Sequence, residues 1–229
     1  MQGKAIMITG AKGGLGTFVT QAFLATGANV AGVSRSIKQT DFPAPNFAAF
    51  AAELTNGAST VQLAEQVTER FRKIDVLVHV MGGFAGGKSL QETDDATFEQ
   101  MLDINLRSAF HTFRAVLPDM RSAGAGRIVA IGSRGAEGAA PGLSAYAASK
   151  TALVSLVRTV AAENKDRGIN ANAIVPGTMD TPQNRVNEPN ADFSRWIRPQ
   201  SVADLIVWLA SDAAAQLSGA VIPVYGSDV

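Results

Sequence analysis

Ala5-Ile6-Met7-Ile8-Thr9-Gly10-Ala11-Lys12-Gly13-Gly14-Leu15-Gly16 is the stretch on which the fold turns. Residues 5–9 are apolar and partly β-branched, too few for a helix and closed at once by glycine, which is the pattern of a buried strand. Residues 16–26 carry helical spacing. A strand that enters a glycine-rich turn and leaves it as a helix lets backbone N–H groups approach an anion, and the helix N-terminus adds partial positive charge. Glycine is needed wherever a β-carbon would clash or forbid positive φ. Such glycines also suit any tight strand-to-helix turn. Their place in a first βαβ unit points to a bound pyrophosphate contacted by Gly10, Gly14, Leu15 and Gly16.

Beyond this unit, short apolar runs recur at 29–34, 76–80, 127–131, 170–175 and 221–224, with a weaker one at 47–51. Amphipathic stretches at 61–72, 95–121, 144–167 and 202–210 lie between them. Near-continuous apolar strands separated by helices predict an α/β fold: a doubly wound parallel sheet of about seven strands with helices on both faces. No linker divides the chain, so residues 1–229 are expected to form a single domain. Segment 176–200 holds four prolines and many polar residues. It is expected outside the core, at the carboxyl edge of the sheet, as a substrate-side loop or a tolerated surface loop.

Composition narrows the function classes. The 229 residues include 20 Lys+Arg and 20 Asp+Glu, a formal charge of zero. That balance argues against nucleic-acid and anionic-membrane partners, which need a surplus of cations on one surface. At 46% hydrophobic and 17% charged, the chain is not a disordered one. Cysteine is absent and only two histidines occur, so disulfides, thiol catalysis and thiolate or histidine-rich metal sites are excluded, and no metal is expected. No signal-peptide pattern or membrane-length apolar run is present, and a cytoplasmic location is expected.

The second strand candidate runs into Ser34-Arg35-Ser36. An NAD site places an acidic side chain here to accept from the ribose 2′-hydroxyl. Ser34, Arg35 and Ser36 instead offer donors to a 2′-phosphate, and Lys12 adds a second cation. Arg35 would otherwise be a solvated charge at a strand end. The preferred cofactor is NADP(H), with NAD(H) as the alternative.

Tyr146-Ala147-Ala148-Ser149-Lys150 places a phenol and an ammonium four residues apart on one helical face. A free tyrosine titrates near ~10, too high for efficient proton exchange at neutrality. A neighbouring ammonium and an oxidised nicotinamide are expected to lower it. Ser133, at the tip of the strand at 127–131, faces the same cleft. The glycine turn and this YxxxK pattern resemble the short-chain dehydrogenase/reductase family over essentially the whole chain. The resemblance implies a Rossmann-type fold with Ser133 orienting the substrate oxygen and Tyr146 as acid/base. It also implies that Lys150 binds the nicotinamide ribose, and that Asn105 holds a water in the proton relay. Further cofactor contacts are implied at Glu53, Leu54, Gly82, Tyr146, Lys150, Pro176 and Gly177. A homodimer or homotetramer through the helical stretches at 95–121 and 144–167 is implied as well.

Two departures bear on the substrate. Where the family reads NAG, this chain has Met81-Gly82-Gly83-Phe84-Ala85-Gly86-Gly87. With Asp180-Thr181-Pro182-Gln183-Asn184-Arg185 and Ala191-Asp192-Phe193-Ser194-Arg195-Trp196, this resembles dihydropteridine reductases. Those reductases, however, lack the serine present here as Ser133 and favour NADH through an acidic residue where Arg35 stands. Phe84 and Trp196 either offer flat faces to a planar substrate or pack under their own loops. His79, ending a buried strand, reads as a structural histidine. The expected function is NAD(P)H-dependent hydride transfer to a small carbonyl substrate. Reduction of a quinonoid pterin is the alternative, and a non-catalytic NADP(H)-sensing protein is the alternative of another class.

Overall fold

The computed structural model describes residues 1–138 and 140–227. Seven strands form one sheet: β1 (Ala5–Thr9), β2 (Asn29–Val33), β3 (Phe47–Phe50), β4 (Val76–His79), β5 (Gly126–Ile131), β6 (Ile169–Pro176) and β7 (Val221–Val224). Their order is β3-β2-β1-β4-β5-β6-β7, and every neighbouring pair is parallel. The single doubly wound α/β domain therefore has the expected form, with the weak candidate at 47–51 as one of its two edge strands.

The helices are α1 (Gly14–Ala25), α2 (Gly57–Phe71), α3 (Asp95–Leu102), α4 (Ser108–Ala123), α5 (Ser144–Glu163), α6 (Pro182–Asn187) and α7 (Pro199–Leu209). Alternation along β1 sorts the core into two layers. Ile6 and Ile8 point to one face, among Val19 and Phe23 of α1 and Val202 and Ile206 of α7. Met7 points to the other, among Leu63 and Val67 of α2, Phe113 and Val116 of α4, and Leu153 and Val157 of α5. Phe23 and Phe113 are fully buried on opposite sides; truncating such a ring to alanine costs about 3–5 kcal/mol.

Capping moves several helix starts. Asn56 accepts from the Ala58 and Ser59 amides, so α2 begins at Gly57, ahead of its apolar periodicity. Pro199 opens α7 from the first helical position, where its missing N–H has no partner to lose. The stretch at 95–121 is not one helix: a π-helical turn, Asp103–Arg107, separates α3 from α4. Segment 176–200 is more ordered than expected. It contains α6, and Met179 bridges Ile197, whose side chain joins the core with Pro199 buried beside it. Among the described residues no helix is long and apolar enough to cross a membrane.

Candidate active site

β1 and β4 are neighbours whose onward connections run to opposite sides of the sheet, so a crevice opens at their carboxyl ends. The glycine turn fills one wall. Gly10 has φ +67°, and a β-carbon there would meet Met81 N at 2.9 Å; one on Gly16 would strike the Gly10 carbonyl at 1.9 Å. Gly13 caps α1 without a side-chain bond, and the first turn of α1 carries no acidic residue. Leu15 is buried under the turn, while Lys12 and Gly14 face outward. Exposed amides, a cradle that any β-carbon would fill and an uncancelled helix terminus fit a pyrophosphate.

At the outer rim Ser34 follows β2, its amide donating to Phe50 O at 3.3 Å, and Arg35 and Ser36 are exposed. Lys12 Nζ lies 3.0 Å from Asp41 Oδ2. The Glu53 carboxylate is turned onto Thr55, accepting from its hydroxyl at 3.2 Å. Leu54 is buried in the core, so only its backbone is left to meet a ligand.

The floor is built around the π-helical turn. Asn105 is fully buried there, and its Oδ1 accepts from Gly83 N at 2.9 Å while Nδ2 donates to Gly83 O at 3.1 Å and Ser149 Oγ at 3.0 Å. The carboxamide thus clamps the Gly83 backbone from both its N–H and its C=O. The turn is tied to the sheet through His79, also fully buried. Ser108 Oγ donates to Ile104 O at 2.7 Å, so it accepts from His79 Nε2–H at 3.4 Å. Nδ1 then takes the hydroxyl proton of Thr9 at 3.0 Å, and Thr9 Oγ1 accepts from Met81 N at 3.2 Å. One tautomer satisfies every bond in the chain. Burial, aided by the Lys150 charge, holds the imidazole neutral with its pKa lowered to about 3. His79 is structural, as read from the sequence.

Lys150 is 5% exposed, and its Nζ donates to Ile131 O at 2.8 Å. A β-carbon on Gly82 would lie 2.9 Å from that nitrogen, so the missing side chain gives the ammonium its room. Burial lowers the Lys150 pKa to about 8. Burial also raises the Tyr146 phenol above its ordinary value, and the hydrogen bond with Ser133 opposes this. The Lys150 ammonium donates to the β5 carbonyl, and the side chain whose hydrogen bond lowers the phenol is Ser133. Ser133 also accepts from Gly135 N at 3.2 Å and so caps a short turn after β5, which fixes its direction.

The loops over this floor are held differently. Phe84 is 62% exposed and lies edge-on to Tyr146, ring centroids 5.0 Å apart. Pro176 ends β6 opposite Val224, and the Gly177 amide donates to Val224 O at 2.9 Å. Beyond them Arg185 forks onto Asp180 at 2.5 and 2.8 Å and lies over the Phe193 ring, which meets Trp196 at 4.8 Å. The two motifs in this segment therefore form one self-tied lobe. Thr181 at its base caps α6, and its Cγ2 would lie 3.1 Å from a β-carbon on Gly14, which places the lobe against the glycine turn. The sequence motifs give no signal of Asp41, Thr181 or Ser149 as site residues, since each matters through a contact distant in sequence.

A family model described as short chain dehydrogenase matches residues 4–192. The short-chain dehydrogenase/reductase cdmF of Talaromyces verruculosus is 30% identical over 247 residues, covering 98% of this chain and 96% of its own. The 3-oxoacyl-[acyl-carrier-protein] reductase FabG of Escherichia coli is 29% identical, covering 98% and 97%. The solved structure of ElxO with NADP bound superposes with a TM-score of 0.92 at 24% identity, covering 100% of this chain and 99% of that one.

Proposed function

Starting from a chain that belongs to the short-chain dehydrogenase family, we propose an oxidoreductase that interconverts a small carbonyl compound and its alcohol, with NADP(H) preferred over NAD(H). The observation that carries this is the meeting of Ser133 and Tyr146, hydroxyl to hydroxyl, above a buried Lys150 at the carboxyl end of β5.

The glycine turn and the α1 N-terminus would hold the pyrophosphate, Ser34, Arg35, Ser36 and Lys12 the 2′-phosphate, and Lys150 the nicotinamide ribose. Bound there, the nicotinamide supplies or accepts the hydride. Tyr146 carries its proton at neutral pH because burial disfavours the phenolate. In reduction the phenol gives that proton to the substrate oxygen, and in oxidation the phenolate takes it from the alcohol. Ser133 donates its one hydroxyl hydrogen to the same oxygen. Asn105 acts behind them as a positioning residue.

A second reading, reduction of a quinonoid dihydropterin, is supported by the exposed Phe84 ring beside Tyr146, a flat apolar face for a planar substrate. Oxidation of NADPH, followed by absorbance with a panel of small ketones and a quinonoid dihydropterin, separates the two. With whichever substrate is turned over, Tyr146→Phe is expected to cut kcat by roughly 10²-fold or more while NADPH still binds. Unchanged turnover would reject the mechanism.

A further inference from the structure

Between β2 and β3 the chain makes a short turn, Gln39–Asp41, that is firmly held. Ile37 before it and Phe42 after it are both buried, and Phe42 meets Phe47 of β3 with ring centroids 5.0 Å apart. Gln39 joins the turn to β3 twice: Nε2 donates to Phe47 O at 3.0 Å, and Oε1 accepts from Ala49 N at 3.3 Å. Asp41 Oδ2 accepts from Lys38 N at 2.8 Å, so the carboxylate is aimed by its own turn. That same oxygen lies 3.0 Å from Lys12 Nζ, across the gap to the glycine turn.

We propose that Asp41 selects between the two nicotinamide dinucleotides by occupying Lys12. The inference rests on Lys12 and Arg35 facing the 2′-position, as set out above. A 2′-phosphate brings nearly two negative charges to an ammonium already paired with a carboxylate. It must share the ammonium with that partner or displace it. A ribose hydroxyl is neutral and meets no such opposition. Arg35 is exposed and forms no ion pair among the described residues, so it stands as the cation fully available to the phosphate. Asp41 thus tempers a preference that Arg35 and Lys12 would otherwise make steep, and it leaves the site open to both cofactors.

Calorimetric titration of the full chain with NADPH and with NADH tests this in four proteins: wild type, Asp41→Asn, Lys12→Met and the double variant. Asparagine keeps an acceptor for the Lys38 amide, so the turn is preserved. Asp41→Asn is expected to raise the ratio of NADPH to NADH affinity about fivefold, and the rise is expected to disappear in the Lys12→Met background. A ratio unchanged by Asp41→Asn, in a wild type that prefers NADPH, overturns this inference alone. So does a rise that persists without Lys12. A wild type that prefers NADH and is weakened for it by Asp41→Asn overturns the NADP(H) reading as well, since Asp41 would then be accepting from the ribose.

Discussion

The floor of the crevice and its rim are held by contacts of opposite kinds. On the floor, Asn105 reaches residues 22 and 44 positions away, and Thr9 and His79 are 70 apart. These bonds are buried and join separate elements, so they exist only when the whole sheet is assembled. On the rim, Arg185 binds a carboxylate five positions back, Asp41 accepts from an amide three back, and Glu53 folds onto a residue two ahead. These groups are solvent-exposed and close small local loops. The buried floor thus shares its fate with the fold, while these rim contacts are set locally and can change without disturbing it.

The contrast is open to attack from its strong end first. Asn105→Ala removes its hydrogen bonds to Gly83 and Ser149 and leaves both polar groups of Gly83 short of a partner; a loss of about 3 kcal/mol is expected in urea unfolding. A loss below about 1 kcal/mol would show that the floor does not depend on this clamp.

The next effect is a pH dependence. The folded pKa of His79 is about 3, below the 6.5 of an unperturbed histidine, so below pH 6.5 the unfolded chain binds a proton that the folded one refuses. The stability His79 contributes is complete above that pH and is lost as pH falls towards 3, at up to about 1.4 kcal/mol per pH unit. Unfolding curves at pH 7.0, 6.0 and 5.0 are expected to show this decline in wild type and a flatter profile in His79→Asn. Parallel profiles would mean that the imidazole charges within the fold.

The smallest effect belongs to the rim. Arg185→Ala breaks an exposed pair and one ring contact, and is expected to cost less than about 1 kcal/mol of stability while shifting KM for the substrate more than kcat. A drop in stability matching that of Asn105→Ala would erase the distinction between the two regions.

The same division explains what sequence reasoning reached. The inner strands are readable because parallel strands buried on both faces are near-continuously apolar, whereas β3 and β7, at the edges, are only partly buried. Tyr146, Lys150 and Ser133 stand out because one helix and one strand tip carry them at fixed spacing. The π-helical turn at Asp103–Arg107 leaves no trace in composition: its dihedrals remain helical, and only the hydrogen-bond step changes. The Lys12–Asp41 pair joins two loops 29 positions apart, for which no local pattern exists. The placement of the Lys150 nitrogen is hidden for a similar reason. Spacing shows that Lys150 shares a helical face with the phenol, but not that its ammonium turns to Ile131 O.

The π-helical turn holds one more residue than an α-helical spiral accommodates, and that surplus is what swings Asn105 towards Gly83. Excising a single residue between 103 and 107 would let α3 and α4 fuse into a regular rod, gaining backbone regularity while rotating the carboxamide by roughly 100° away from its target. The irregular backbone and the buried Asn105–Gly83 contact therefore stand or fall together, and regularity could be gained here only by giving up the clamp.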